Sequence, residues 1–231
     1  MRQPPDWRLY LVTDRGLARG RAMAWVVEAA VRGGATAVQL REKSCDTREF
    51  VELGRELKKL LGPRQVPLIV NDRVDVALAI GADGVHIGQQ DMDYESARRL
   101  MGPDAIIGLS IETVEQARAG VPLGVDYLGV GPVFATATKM DAAPPLGVAG
   151  LAEIRAISRH AMVAIGGMGL ENAREAIESG ADGVAVVSAI CASDDPERSA
   201  RKLRQSIDAA LEARRERHTP TSTGARREEV R

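Results

Sequence analysis

The sequence predicts a single-domain α/β fold, a (β/α)8 TIM barrel, on three observations. Short β-rich runs alternate with stretches of helical periodicity along almost the whole chain, the runs number eight, and a glycine-led phrase recurs before four of them. The length of 231 residues suits one barrel domain better than two small domains.

Taken in order, the predicted strands are 8–13, 37–41, 67–70, 84–87, 106–110, 127–130, 162–165 and 183–187, each rich in Val, Ile, Leu or Tyr. Between them, Phe50, Leu53, Leu57 and Leu60 recur at helical spacing, as do Leu151, Ile154 and Ile157 and later Leu203, Ile207 and Leu211. Each set marks the inward stripe of a crossover helix. The phrases Gly34-Ala35-Thr36, Gly81-Ala82-Asp83, Gly124-Val125-Asp126 and Gly180-Ala181-Asp182 place a glycine where a helix ends before the turn into a strand. An open doubly wound sheet would also alternate strands and helices. Its first strand should lead into a G-x-G-x-x-G turn, whereas this one leads into Thr13-Asp14-Arg15-Gly16. The barrel is predicted to occupy residues 1–217. Residues 218–231 have no apolar periodicity and read as a disordered tail.

Composition sets further bounds. With 45% hydrophobic and 3% aromatic residues, the interior is expected to be filled mainly by Val, Leu, Ile and Ala, and the composition argues against an aromatic nucleic-acid platform. Lys and Arg total 31 against 32 acidic residues, so the net charge of -1 gives no global field for nucleic acid or anionic lipid. Any anion site is local. Cys45 and Cys191 are too few for a disulfide framework or a four-ligand zinc site and read as free thiols. With no apolar segment near the length of a membrane span and no secretory h-region, the expectation is a cytoplasmic enzyme with small-molecule substrates. A homo-oligomer is left open.

In such a barrel the active site forms where the strands end. The second strand ends in Gln39-Leu40-Arg41-Glu42-Lys43, with Gln39 and Arg41 of one parity in a strand expected to be buried on both faces. That favours an anion site over a bland surface pair. Asp72 follows the third strand and Asp91 the fourth, at the same mouth. Either can be a helix cap. Two carboxylates beside a cationic cluster also suit magnesium, which takes one or two carboxylates together with substrate phosphate oxygens. The long loop after the sixth strand carries Thr136, Thr138 and Lys139, donors for phosphate or a ring substituent. The seventh strand leads into Gly166-Gly167 and the eighth into Ser188, where barrels commonly hold phosphate. A purely conformational role for the glycine pair stays open. His86 reads as a packed, hydrogen-bonded side chain rather than a base.

The residues resemble one family, thiamine phosphate synthase. The resemblance is carried by Leu9-Tyr10-Leu11-Val12-Thr13-Asp14, the segment Gln39 to Lys43, Val70-Asn71-Asp72-Arg73, His86-Ile87-Gly88-Gln89 with Asp91, and Ile107-Gly108-Leu109-Ser110. It continues through Gly131-Pro132-Val133-Phe134 with Thr136-x-Thr138-Lys139, then Ile165-Gly166-Gly167 and Val187-Ser188. It implies a transferase of thiamine biosynthesis that joins a hydroxymethylpyrimidine diphosphate to a thiazole phosphate with release of pyrophosphate. By that resemblance Gln39, Leu40, Arg41, Glu42, Lys43, Asn71, Ser110 and Lys139 would hold the pyrimidine diphosphate. Asp72 and Asp91 would bind Mg2+, and Thr136, Ala137, Thr138, Gly167, Val187 and Ser188 would receive the thiazole phosphate. The catalytic set it implies is Arg41, Lys43, Ser110 and Lys139. The nearest rival is a thiazole tautomerase or regulatory relative of the same fold. The turn Ile111-Glu112-Thr113 offers no histidine for that proton shuttle, and the charged set for a diphosphate is present.

Overall fold

The structure is a computed structural model that describes residues 4–136 and 143–218. Eight parallel strands close on themselves, each paired with its sequence neighbours: β1 (Leu9–Val12), β2 (Ala37–Leu40), β3 (Leu68–Asn71), β4 (Gly84–Ile87), β5 (Ile106–Ile111), β6 (Tyr127–Val130), β7 (Ala161–Ala164) and β8 (Gly183–Val186), which pairs back onto β1. The helices are α1 (Met23–Arg32), α2 (Thr47–Leu61), α3 (Val74–Ile80), α4 (Tyr94–Met101), α5 (Val114–Gly120), α6 (Gly147–Ile157), α7 (Ala173–Glu178), a short α8 (Ser188–Cys191) and α9 (Pro196–His218). The predicted (β/α)8 barrel is the observed one. Four helices start on the side-chain caps their sequences offer: Asp46 accepts from the Glu49 N–H, Asp93 from Ser96, Thr113 from Gln116 and Asp195 from Arg198. The predicted tail lies, from residue 219 on, outside the described residues. No helix among the described residues is long and apolar enough to cross a membrane.

Strand ends differ from the sequence reading by a residue or two, for local reasons. Thr13 and Arg41 fall outside the ladder because the last bond between the first two strands is made by a side chain: the Arg41 N–H donates to Thr13 Oγ1 at 3.0 Å. Beyond β3 the chain turns sharply at Asp72, which sits in the left-handed region with φ 61°. Asp tolerates that conformation better than most residues, at a cost of about 1 kcal/mol.

The core has two layers. Aliphatic residues from the outer faces of the strands, Leu40, Leu68, Val85 and Leu128 among them, pack against the helices. The interior of the barrel is mainly aliphatic, as composition leads one to expect, with three aromatic residues added. Val12, Ile69, Ile106 and Val163 are there, but Trp7, Tyr10 and Tyr127 share the space, with Trp7 and Tyr127 ring centroids 4.1 Å apart. Glycines on neighbouring strands make room for them. A Cβ on Gly108 would lie 2.1 Å from the Tyr127 ring, and one on Gly129 would lie 2.8 Å from His86 Cε1. Three of the seven aromatic residues thus gather where the strands leave space for large rings.

The recurring phrases have a structural meaning. Thr36, Asp83, Asp126 and Asp182 each accept the backbone N–H of a residue at the start of the preceding strand: Leu9, Leu68, Ile107 and Met162, at 3.1, 2.8, 2.8 and 2.9 Å. Each also donates its own N–H to that residue's carbonyl. Four latches therefore join β1 to β2, β3 to β4, β5 to β6 and β7 to β8 at the N-terminal end of the barrel. Cations reinforce three of them: Lys58 pairs with Asp83, Arg98 with Asp126, and Arg155 and Arg214 with Asp182.

Candidate active site

Because the strands are parallel and closed, all their C-terminal ends open on one mouth, and the polar residues singled out from the sequence collect there. Gln39, the inward residue of β2, is buried at 4% exposure with Nε2 donating to the Tyr10 hydroxyl at 3.1 Å. Leu40 faces the other way, wholly buried in the layer beneath the helices, so only its backbone faces the mouth side of the strand. Arg41 lies 3.7 Å from Asp14, and Glu42, its side chain 3% exposed, is held by Arg15 at 3.2 Å. Glu42 therefore serves an ion pair at the rim. Asp14, on the segment after β1, is a partner that sequence reading missed.

Lys43 Nζ reaches Asp72 Oδ2 at 2.6 Å, and Asp91 Oδ2 accepts the Gly88 N–H at 2.7 Å. The carboxyl groups of Asp72 and Asp91 are close enough to share a hydrogen bond. Burial raises both. For Asp72 the hydrogen bonds from Lys43 and Asp91, with the Lys43 charge, outweigh it and hold the group below the usual carboxylate range. For Asp91 burial, joined by the neighbouring Asp72 charge, wins over the Gly88 hydrogen bond and holds the group above that range. Among the described residues no cluster of three or more His, Cys, Asp or Glu side chains forms a complete metal cage. A paired, mutually perturbed set of two carboxylates suits a cation such as magnesium, which completes its shell with water and substrate phosphate. The capping reading of Asp91 fails in its simple form, since Asp93 caps α4.

Ser110, on the inward face of β5, bonds through Oγ to His86 Nε2 at 2.8 Å. His86 Nδ1 meets the Tyr127 hydroxyl at 2.8 Å, and Tyr127 meets the Tyr10 hydroxyl at 2.9 Å. The expectation of a packed, hydrogen-bonded His86 holds. Burial pushes its imidazole down to about 4, against the opposing charge of Asp72. Sequence reading missed Tyr10 and Tyr127. Their signal was parity: Tyr10 lies two residues before Val12 on the inward face of β1, and Tyr127 pairs in register with Gly108.

The loop after β6 is clamped at its base. Val133 and Phe134 donate to the Ile165 and Gly166 carbonyls, and Leu146 and Gly147 donate to those of Pro132 and Val133. Gly166 and Gly167 have φ of 88° and 62°, and a Cβ on Gly167 would meet the Ala135 carbonyl oxygen at 2.5 Å. The glycine pair is thus required conformationally, and it seats the Thr136 segment beside the end of β7. Val187 precedes α8 and Ser188 begins it, at the end of β8. Ala137, Thr138 and Lys139 lie outside the described residues. Neither thiol takes the form of a nucleophile. Burial pushes Cys191 up to about 11, and burial also raises Cys45.

A family model described as "Thiamine monophosphate synthase" matches residues 9–190. The chain is 55% identical over 202 residues to the thiamine-phosphate synthase of Albidiferax ferrireducens, covering 87% of this chain and 92% of that one. It is 53% identical over 207 residues to that of Chloroflexus aurantiacus, covering 90% and 95%. Among solved structures, thiamine phosphate pyrophosphorylase from Pyrococcus furiosus superposes with a TM-score of 0.83 at 40% identity, over 90% of this chain and 98% of that one. With barrel, mouth and sequence in agreement over most of its length, the chain belongs to the thiamine monophosphate synthase family, and with it to the transferases of thiamine biosynthesis.

Proposed function

We propose that the protein condenses 4-amino-2-methyl-5-(diphosphooxymethyl)pyrimidine with 4-methyl-5-(2-phosphooxyethyl)thiazole, giving thiamine phosphate and pyrophosphate. The observation that carries this reading is the convergence of Gln39, Lys43, Asp72, Asp91 and Ser110, from four successive strand ends, on one mouth of the barrel. Family membership and the similarity to thiamine-phosphate synthases support it.

The difficult step is departure of pyrophosphate from the methylene carbon of the pyrimidine. As that C–O bond lengthens, positive charge spreads into the ring and negative charge grows on the leaving oxygens, and the thiazole nitrogen then forms the new C–N bond. The protein needs no nucleophile for this, in keeping with its raised thiols. Arg41, steadied by Asp14, and Lys43, steadied by Asp72, bring fixed positive charge to the leaving group. Lys139 adds a third cation from the loop after β6. Preorganised donors of this kind typically lose about 3 kcal/mol, or roughly a hundredfold in rate, per group removed. Asp72 and Asp91 would hold Mg2+, which supplies Lewis-acid neutralisation of the diphosphate when bound. Asn71, at the end of β3, belongs with Gln39 and Ser110 in holding the pyrimidine diphosphate. The segment Thr136 to Thr138, with Gly167, Val187 and Ser188, receives the thiazole phosphate and fixes its nitrogen for attack, replacing a bimolecular encounter with an oriented one.

The test is direct. Purified protein is incubated with both substrates and magnesium, thiamine phosphate is followed by fluorescence after oxidation, and the assay is repeated with EDTA and with Asp91→Ala. Product that requires magnesium and vanishes in the variant supports reaction and metal assignment alike. Folded protein that binds thiazole phosphate yet forms no product would return the tautomerase or regulatory reading.

A further inference from the structure

The structure assigns Tyr127 and Tyr10 a positioning role: through His86 they fix the direction of a buried hydrogen-bond chain, so that Ser110 meets the substrate as a donor. This rests on the proposed function in naming the pyrimidine as the ring that Ser110 meets. The chain itself runs from Gln39 Nε2 to the Tyr10 hydroxyl at 3.1 Å, to the Tyr127 hydroxyl at 2.9 Å, to His86 Nδ1 at 2.8 Å, and from His86 Nε2 to Ser110 Oγ at 2.8 Å.

Direction follows from counting hydrogens. An amide nitrogen donates and does not accept, so Gln39 gives a hydrogen to Tyr10. Tyr10 has one hydrogen of its own, which goes to the Tyr127 oxygen, and the Tyr127 hydrogen then goes to His86 Nδ1. With Nδ1 accepting, the neutral ring carries its hydrogen on Nε2 and donates to Ser110 Oγ. The Ser110 hydrogen has no place in the chain and is turned to the mouth, toward a ring nitrogen that accepts. At the other end Gln39 has given a nitrogen hydrogen inward, and its Oε1 is the acceptor left for an exocyclic amine. An aminopyrimidine offers one group of each kind.

The reverse direction is self-consistent only if the Gln39 amide turns over. Otherwise the Tyr10 hydrogen would have no acceptor in a dry core, where an unmade hydrogen bond is costly. The two ends are therefore linked, and the hydroxyls of two tyrosines that lie below the mouth decide the polarity with which the site greets its ring. The surroundings keep the chain in place. Tyr10 and Tyr127 are 1% and 0% exposed, their rings meet edge to face at 5.8 Å, and Gly108 lies against the Tyr127 ring.

The experiment has a part that needs no activity. In the full-length chain without substrates, 15N NMR of the imidazoles reads the tautomer of His86, identified by the signal lost in His86→Gln. Hydrogen on Nε2, moving toward a mixture of tautomers in Tyr127→Phe, is the expected result. Hydrogen on Nδ1 in the unmodified chain overturns the proposal. The second part measures KM for each substrate. Tyr127→Phe is expected to raise KM for the pyrimidine diphosphate about tenfold with that for the thiazole phosphate unchanged. Tyr10→Phe, which keeps the Tyr127 to His86 bond, is expected to shift the same constant less and serves if the first variant does not fold. Equal rises for both substrates, or none, would overturn the positioning role. If the unmodified protein makes no thiamine phosphate, the functional reading fails alone and the tautomer still decides the chain.

Discussion

Lys43 and Asp72 meet across the mouth of the barrel, Nζ to Oδ2 at 2.6 Å, tying the segment after β2 to the turn after β3. The ammonium pairs with a carboxylate that also meets the Asp91 carboxyl. Lys43→Ala is therefore expected to act in two opposed ways. The rate should fall roughly a hundredfold, as the leaving group loses a donor. The magnesium concentration for half-maximal rate should fall too, because two uncompensated carboxylates attract the cation more strongly. Initial rates across a magnesium titration separate the two effects, and a half-saturation point that rises would contradict this arrangement.

Asp91→Asn trades activity for stability. The folded state holds the Asp91 carboxyl above its ordinary pKa, so ionisation near neutral pH works against folding, and the amide removes that penalty while still accepting from Gly88. In metal-free protein at pH 7 the variant should be more stable by less than about 1 kcal/mol, the scale of a partly exposed charge pair. Denaturant melts with EDTA check the gain, and the product assay checks the loss of activity.

His86 gives the barrel a defined sensitivity to acid. Its folded imidazole lies at about 4 against 6.5 for the free side chain, so between those values the unfolded chain binds the extra proton. Stability contributed by the neutral ring is complete above pH 6.5 and disappears as pH falls toward 4, amounting to roughly 3 kcal/mol. The Asp72 charge opposes the effect, and the ring's other partners are the neutral hydroxyls of Tyr127 and Ser110. The unfolding free energy of His86→Gln should vary less between pH 4.5 and 7 than that of the unmodified protein. Parallel slopes would show that the acid response arises elsewhere.

At the other end of the barrel, Asp182 accepts from the Met162 N–H at 2.9 Å and from Arg155 and Arg214, each at 3.2 Å. Asp182→Ala should cost about 2 kcal/mol, the range for hydrogen bonds that involve a charged group. Both KM values should be unchanged, since the latch lies at the strand starts. A lowered Tm with unaltered KM values is the expected pair of observations.

Hydrophobic periodicity and the four repeated phrases made the barrel legible in the sequence, because both are local in the chain. The mouth was legible wherever a strand end coincided with a charged or polar residue, as at Gln39, Asp72 and Ser110. Partners drawn from distant strands were not. Asp14 reaches Arg41 from a different strand end, and the Tyr10 to Tyr127 bond spans 117 positions. No periodicity encodes such a bond, since it depends on Gly108 and Gly129 vacating the inward face. The low aromatic content pointed away from this cluster because a percentage carries no information about where the residues gather.

The four latches divide labour between the two ends of the molecule. Strand starts are fastened pair by pair through a Thr or Asp that follows its own helix, and none of those bonds passes through the loops where substrate is handled. Insertions, deletions and exchanged loops at the mouth thus leave the fastening intact. Such a frame lets chemistry diversify at one rim while the opposite rim keeps the architecture heritable.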